Sequence, residues 1–215
     1  MLRELLIVGT SGLAKEAAQL ARRIDPASSL WREIAYVTNE PSELGRSLPF
    51  GKVVYTDEAL VTRDTEADVV IGVGIPIPRR KIAQRLQQNP ALSFPNLVHP
   101  NLEIDANLVT LGIGNMITQG VVMTCDIKVG DFNLLNWNCT IGHDVVIGSY
   151  NVINPGCSVS GRVHIDDACL LGTGCRVLET LNIVSEVKIG AGAVLTRSAD
   201  VFGTYIGVPA RLLRA

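Results

Sequence analysis

The sequence has few aromatic residues (5%), no block of basic residues and a formal net charge of −2. Because no Lys/Arg cluster is present to neutralise phosphates, we expect neither a nucleic acid nor an anionic membrane as a partner. No apolar run approaches the length of a membrane span. The N-terminal stretch MLRELLIVG carries Arg3 and Glu4 and has no cleavage pattern, so we expect no signal peptide and a cytoplasmic location.

A six-residue repeat of large apolar residues runs without a break from residue 111 to residue 201. Neither the period of an α-helix nor that of a β-strand produces this spacing. It predicts a solenoid of short strands in which three hexads form one triangular coil of 18 residues, the left-handed parallel β-helix. The sixteen positions are Leu111, Ile117, Met123, Val129, Leu135, Ile141, Ile147, Ile153, Val159, Ile165, Leu171, Val177, Ile183, Ile189, Leu195 and Val201.

The other positions of the hexad also follow a pattern. The fifth position is small or modest in size, which we expect to permit a sharp corner, and glycine recurs at the second position. The five cysteines are odd in number and lack zinc-site spacing, and four of them occupy the fifth position: Cys139, Cys157, Cys169 and Cys175. We therefore predict reduced core cysteines, with no disulfide and no bound metal.

The segment before the repeat predicts a small Rossmann-like α/β domain over residues 1–98, followed by the β-helix over residues 99–215. Expected strands cover residues 4–9, 33–38, 52–55, 67–74 and 94–98, and expected helices cover residues 13–24 and 79–88. Gly9, Ser11 and Gly12 lie in a turn between the first strand and helix, where free N–H groups could hold a phosphate. The turn lacks the full GxGxxG pattern, so a plain tight turn is an equal alternative.

His143 is the polar residue that the repeat does not require. It falls at an outward hexad position beside Asp144, where an exposed imidazole could accept a proton and the carboxylate could orient it. One coil later in the same column stands Gly161, whose uncovered N–H could stabilise an oxyanion. Asn136, at another position expected to face outward, could bind a substrate hydroxyl or amine. The plain alternatives are a surface histidine without a role and a glycine that only forms a corner.

Five segments in order, IVGTSGLAKE, LVHPNLEI, NCTIGHDVVIG, SVSGRVHI and YIGVPARLL, resemble one family. It is the hexapeptide-repeat acyltransferases of the sialic-acid O-acetyltransferase and nucleotide-amino-sugar N-acetyltransferase group, and the resemblance covers nearly the whole chain. It implies a homotrimer with active sites between neighbouring β-helices. It also implies that the N-terminal domain binds a UDP- or dTDP-linked 4-amino-4,6-dideoxy sugar, and that acetyl-CoA lies along the β-helix.

The resemblance implies roles for individual residues. His143 would be the general base for the sugar amine, with Asp144 as its acidic partner. The acetyl-CoA residues would be Gly161, Gly172, Thr173, Gly190, Pro209 and Arg211. The nucleotide-sugar residues would be Gly9, Ser11, Gly12, Thr38, Asn39, Gly74 and Asn136. The chain departs from its relatives at Leu13 and Val152, which replace common histidines, and at Thr38-Asn39-Glu40, where relatives usually have an Asp.

Three other functions remain open at this stage. A sugar O-acetyltransferase of the sialic-acid type would use the same residues. A zinc lyase on a β-helix would need three convergent histidines, whereas the three histidines here fall in unrelated columns. A non-catalytic sugar-nucleotide-binding protein would bind its ligand without turnover.

Overall fold

The computed structural model describes residues 2–213 and divides the chain into two compact units. The α/β unit comprises the residues up to 74 together with residues 78–100. The β-helix unit comprises residues 75–77 and the residues from 101 onward. The predicted domain boundary between residues 98 and 99 stays a prediction and lies next to this change. None of the helices in the described residues is both long and apolar enough to cross a membrane.

The α/β unit is built on a mostly parallel sheet. Its strands are β1 (Arg3–Val8), β2 (Trp31–Thr38), β3 (Ser47–Leu48), β4 (Gly51–Thr56), β5 (Ala67–Ile71) and β6 (Leu92–Ser93), followed by the short β7 (Leu97–Val98). The helices are α1 (Gly12–Ile24), α2 (Asp57–Val61) and α3 (Pro76–Leu86), with a 3₁₀ turn at Pro41–Glu43. The sheet order is β3-β4-β2-β1-β5-β6, and only the β3–β4 pair is antiparallel.

The predicted strands and helices of this unit are found with three corrections, the first of which is that the strand expected at residues 67–74 ends at Ile71. Only the last two residues of the strand expected at residues 94–98 form a strand, β7, and the strand that pairs with the start of β5 is β6, which precedes the expected range. The last helix begins at Pro76 rather than at residue 79. Proline fits the first turn of a helix because the N–H that it lacks has no intrahelical partner there.

Three faces of short strands make up the β-helix unit, and the strands are parallel except for the antiparallel pair at the C-terminal end of the second face. The first face contains β8 (Val109–Leu111), β11 (Ile127–Val129), β14 (Val146–Ile147), β17 (His164–Ile165) and β20 (Asn182–Ile183). The second contains β9 (Met116–Ile117), β12 (Leu134–Leu135), β15 (Val152–Ile153), β18 (Leu170–Leu171), β21 (Lys188–Ile189), β23 (Thr204–Ile206) and β24 (Arg211–Leu212). The third contains β10 (Val122–Met123), β13 (Thr140–Ile141), β16 (Ser158–Val159), β19 (Arg176–Val177) and β22 (Val194–Leu195).

The register of these strands confirms the coil length expected from the hexads. Ile141 pairs with Val159 on the third face, and backbone N–H groups of Asn133 and Asn151 donate to the side-chain oxygen of the asparagine 18 positions earlier. The repeat residues from Ile117 to Leu195 are buried, and so are the fifth-position cysteines. The expectation fails at the last position: Val201 is 58% exposed, because the chain leaves the repeat after Leu195.

The corners are made differently from the expectation. The residue that turns the chain is the fourth of each hexad, which has a left-handed φ at every hexad from Gly114 to Gly192. The second-position glycines have no such φ. They are glycines because the next coil lies against them: a Cβ at Gly130 would be 2.7 Å from the carbonyl oxygen of Gly148.

Candidate active site

The corner between the third and first faces carries His143. The chain leaves β13 after the buried Ile141 and turns at Asp144, whose φ is 59°. Because the turn occurs immediately after His143, the imidazole stays outside the prism with 52% of its side chain exposed. We call residues 142–145, with Gly161 of the next coil, the histidine corner.

Asp144 holds the imidazole as the sequence suggested. The distance between His143 Nδ1 and Asp144 Oδ2 is 2.7 Å, and the Asp144 side chain is itself 53% exposed. An ionised carboxylate can only accept a hydrogen bond, so this contact favours the tautomer with its proton on Nδ1. The Nε2 atom of the neutral ring is then a free proton acceptor.

Gly161 lies directly against this ring. A Cβ at Gly161 would be 2.6 Å from both Cε1 and Nε2 of His143, which is closer than real Cβ contacts allow. The Gly161 carbonyl accepts a bond from the N–H of Thr180, whereas within residues 2–213 the Gly161 N–H donates to no acceptor. The atom that would accept a proton and a free backbone donor therefore occur at the same corner.

Gly142 keeps the Gly161 amide open, a role that the repeat pattern did not reveal. A Cβ at Gly142 would lie 2.8 Å from the Gly161 nitrogen. From sequence alone, Gly142 was one of several second-position glycines. Its special consequence depends on which residue stands above it in the next coil.

The predicted acetyl-CoA residues Gly172, Thr173 and Gly190 lie at another corner, between the second and third faces. The N–H groups of Gly172 and Gly190 donate to the carbonyls of Ile189 and Tyr205, both at 2.8 Å. Neither amide is free for a ligand, so a role for these glycines would depend on their lack of a side chain. One whole face separates this corner from His143 within a single chain.

Asn136 contradicts its sequence prediction. It was expected to face outward, but it is only 8% exposed, and its Oδ1 accepts the N–H of Trp137 at 2.9 Å. The hexad period gives the position of a residue in the coil but not its depth at a corner. Pro209 and Arg211 are exposed near the C-terminal end of the β-helix unit. The Arg211 guanidinium bonds the carbonyl oxygen of Ala210 at 2.8 Å.

The predicted nucleotide-sugar residues of the α/β unit gather at one edge of its sheet. Gly9 directly follows β1, Thr38 is the last residue of β2, and Asn39 comes directly after it. Gly74 comes three residues after the end of β5. Ser11 is the N-cap of α1, which begins at Gly12. These strands are neighbours in the order β2-β1-β5, so the residues meet at the carboxyl edge, where open parallel sheets bind ligands.

Close backbone packing explains two glycines at this edge. Gly9 has a φ of 113°, and a Cβ there would lie 3.1 Å from the carbonyl oxygen of Gly72. At Gly72, which the sequence did not single out, a Cβ would lie 2.7 Å from the Cα of Ala14 in α1. Gly12 has open space where its side chain would be, so the start of α1 is uncovered. By helix geometry, the N–H groups of this first turn lack intrahelical partners.

Sequence reasoning also missed Arg79 and Glu43. Arg79 is fully buried, and its Nη1 donates to the carbonyls of Ile71 and Val73 at 2.8 and 3.0 Å. Burial lowers the pKa of Arg79 to about 10, so it remains charged at neutral pH and ties the end of β5 to α3. Glu43 accepts bonds from two threonines at the carboxyl edge. The bond from Thr10 to Glu43 spans 33 positions, and those of Arg79 join α3 to the end of β5, so the hydrophobic periodicity of the sequence reports neither.

The two residues that replace histidines common in relatives differ in location. Leu13 is half-buried, and a Cβ at Gly74 would lie 3.3 Å from its Cδ2, so it lies at the carboxyl edge. Val152 is fully buried. Residues 2–213 contain no group of three or more His, Cys, Asp or Glu side chains arranged to hold a metal ion.

No protein-family model matches the chain, and no curated protein sequence matches it significantly. Solved structures match it almost completely. The acetyltransferase domain of PglB from Neisseria gonorrhoeae FA1090 is 25% identical, with a TM-score of 0.89 over 98% of this chain and 100% of that chain. WeeI from Acinetobacter baumannii AYE is 26% identical, with a TM-score of 0.85 over 98% of this chain and 100% of that chain.

The chain is similar to hexapeptide-repeat sugar acetyltransferases from end to end. This similarity confirms the family resemblance inferred from the sequence motifs. A third structure, PerB from Caulobacter crescentus in complex with CoA and GDP-perosamine, shares the fold at 24% identity, with a TM-score of 0.86 over 100% of this chain and 99% of that chain.

Proposed function

We propose that this chain is an N-acetyltransferase that moves the acetyl group of acetyl-CoA to the amine of a nucleotide-linked 4-amino-4,6-dideoxy sugar. The observation that carries the proposal is the histidine corner, where the exposed imidazole of His143 lies against Gly161 and its free N–H. The full-length similarity to acetyltransferase structures supports the reaction class.

The geometry suits acyl transfer. Nε2 of His143 takes a proton from the attacking amine while the new C–N bond forms at the thioester carbonyl carbon. The Gly161 N–H donates to the oxygen on which negative charge develops. When the tetrahedral intermediate collapses, the C–S bond breaks and the thiolate of CoA takes the proton. Asp144 keeps Nδ1 protonated and the ring oriented throughout.

We propose a left-handed β-helix and a Rossmann-like nucleotide-binding role for the α/β unit. The 18-residue coils of three short strands support the first assignment. The parallel order β2-β1-β5 and the open start of α1 support the second, with Ser11 and Gly12 near the pyrophosphate and Thr38, Asn39 and Gly74 around the rest of the nucleotide sugar.

We also propose a homotrimer, because the predicted residues for one site lie at two corners of the prism. His143 and Gly161 lie at one corner, and Gly172, Thr173 and Gly190 lie at another, separated by the third face. A ring of three copies joins the first corner of one chain to the second corner of its neighbour. Pro209 and Arg211 would then contact the nucleotide end of the coenzyme. The free cysteines fit a cytoplasmic, reducing environment.

The test measures CoA thiol release with acetyl-CoA and a panel of UDP-, GDP- and dTDP-linked 4-amino sugars, with mass spectrometry of the products. We expect release that depends on the acceptor sugar and a product acetylated on nitrogen. If none of the sugars in the panel causes release of CoA, the proposal is contradicted. Acetylation of a hydroxyl would favour the O-acetyltransferase alternative. A reaction without acceptor measures the background from protein thiols.

A further inference from the structure

Glu43 is an acidic residue at the carboxyl edge of the α/β sheet. It belongs to neither the Gly-rich turn after β1 nor the end of β2. The 3₁₀ turn Pro41–Glu43 folds it back toward both. Its Oε2 accepts the hydroxyl of Thr10, in the turn after β1, at 2.8 Å and the hydroxyl of Thr38, the last residue of β2, also at 2.8 Å. The carboxylate is thus fixed between two strand ends.

The hydrogen bonds leave this carboxylate with capacity for a ligand. The two oxygens together offer about four acceptor sites. Thr10 and Thr38 use both sites of Oε2, and the guanidinium of Arg46 uses one site of Oε1. One acceptor site remains on Oε1, and 24% of the Glu43 side chain is exposed.

The charge of Glu43 restricts what can lie beside it. The hydroxyls of Thr10 and Thr38 lower the pKa of Glu43, so the group is ionised at neutral pH. A fixed negative charge repels phosphate oxygens and cannot donate a hydrogen bond. The neighbouring part of a bound nucleotide must therefore be neutral and must present a donor. In nucleotide-binding sheets, the donor that meets an acidic group beside β2 is a ribose hydroxyl.

We propose that Glu43 accepts a hydrogen bond from the ribose 2′-hydroxyl, so that the substrate is a ribonucleoside diphosphate sugar rather than its 2′-deoxy counterpart. This inference rests on the proposed function, and it excludes dTDP from the two nucleotides that the sequence resemblance allowed. The pyrophosphate then lies away from Glu43, toward the N–H groups at the start of α1. In this proposal, Glu43 takes the place of the Asp that relatives usually have after β2, although Glu43 comes from farther along the chain.

The experiment compares the Kd values of UDP with dUDP and of GDP with dGDP for the full chain. We expect the wild type to bind the ribonucleotides about tenfold or more tightly, as for other hydrogen bonds to charged groups. Glu43→Gln removes the charge at similar size and should reduce this ratio several-fold. Glu40→Gln, an exposed carboxylate in the same loop, is the matched control and should leave the ratio unchanged.

A second variant distinguishes recognition of the ribose by Glu43 from a purely structural role of Glu43 in its turn. Arg46→Ala frees the other acceptor site of Oε1, so the preference for ribonucleotides should be kept or increased even if the melting temperature falls. A wild-type ratio near one, or a ratio that Glu43→Gln does not change, would overturn the inference alone. If no nucleotide binds, the nucleotide site of the proposed function is overturned as well.

Discussion

Two exposed histidine–carboxylate pairs occur in the same β-helix unit, and only one has the surroundings of an active site. His143 pairs through Nδ1 with Asp144 at 2.7 Å, and His164 pairs through Nε2 with Asp166 at 3.0 Å. Their side chains are almost equally exposed, at 52% and 51%. Exposure and an acidic neighbour therefore do not distinguish the two.

The neighbouring coils distinguish them. His164 lies within β17 on the flat first face, in register with Val146 on one side and Asn182 on the other. His143 lies at a corner, with Gly161 and its free N–H in the next coil. Within residues 2–213, an exposed imidazole and a free N–H of the next coil are combined at the histidine corner and not around His164.

The largest effect is expected for the histidines themselves. His143→Ala should lower kcat for acetyl transfer by about 10² to 10⁴, because the general base is lost. His164→Ala removes an equally exposed imidazole from the same unit and should leave kcat within about twofold of the wild type. Steady-state CoA release measures both, and similar losses in the two variants would refute the comparison.

The second-largest loss of kcat is expected for Gly161→Ala. The residue has no left-handed φ, so the backbone accepts alanine, but the new Cβ would lie 2.6 Å from the His143 ring and displace it. Misplacement of a catalytic group by about 1 Å can cost roughly 10² in rate, so we expect kcat to fall by about 10- to 100-fold. The control is Asn182→Ala, beside His164, which should change neither kcat nor the melting temperature appreciably.

A smaller effect is expected from the two carboxylates. Asp144→Asn keeps a residue type that tolerates the φ of 59° and removes only the charge that orients the ring. We expect kcat to fall about tenfold, as loss of a charge-assisted hydrogen bond predicts. Asp166→Asn makes the same change beside His164. A kcat of Asp144→Asn equal to that of the wild type, or to that of Asp166→Asn, would remove the positioning role of Asp144.

The smallest effect concerns Cys125, one coil before His143 in the same column. Its carbonyl accepts the N–H of Asp144, and it is half-buried while the other four cysteines are buried. Burial raises the pKa of the Cys169 thiol to about 12, which lowers its reactivity further. We expect a thiol reagent to label one cysteine in the native protein and all five after unfolding.

Labelling of Cys125 should slow acetyl transfer several-fold by crowding the histidine corner. Cys125→Ser should be insensitive to the reagent while retaining activity. Rapid labelling of the buried cysteines in the native protein would contradict the packing described for the prism interior.

The periodic part of the chain was predictable almost residue by residue, because each coil repeats the last at a fixed spacing. The position of Gly161 over His143 follows from that spacing alone. Depth was not predictable: Asn136 is only 8% exposed, although its place in the hexad predicts an outward side chain. Which residue turns the chain was not predictable either. The turn depends on a left-handed φ at the fourth hexad position and not on the size of the fifth side chain.

The α/β unit was predictable only as far as its strands and helices. Its contacts join residues at irregular separations, such as Thr10 with Glu43 across 33 positions, and Arg79 with the carbonyls that follow β5. No repeat ties such residues together before folding. The acidic group at the carboxyl edge, Glu43, therefore comes from a separate turn that no sequence pattern marks.

A crystal structure of the protein with acetyl-CoA would decide whether the histidine corner holds the acetyl group. We predict that the thioester carbonyl oxygen lies about 2.7 to 3.1 Å from the Gly161 nitrogen, with Nε2 of His143 open toward the acceptor amine. An acetyl group bound away from the histidine corner, with the Gly161 N–H unused, would contradict the account.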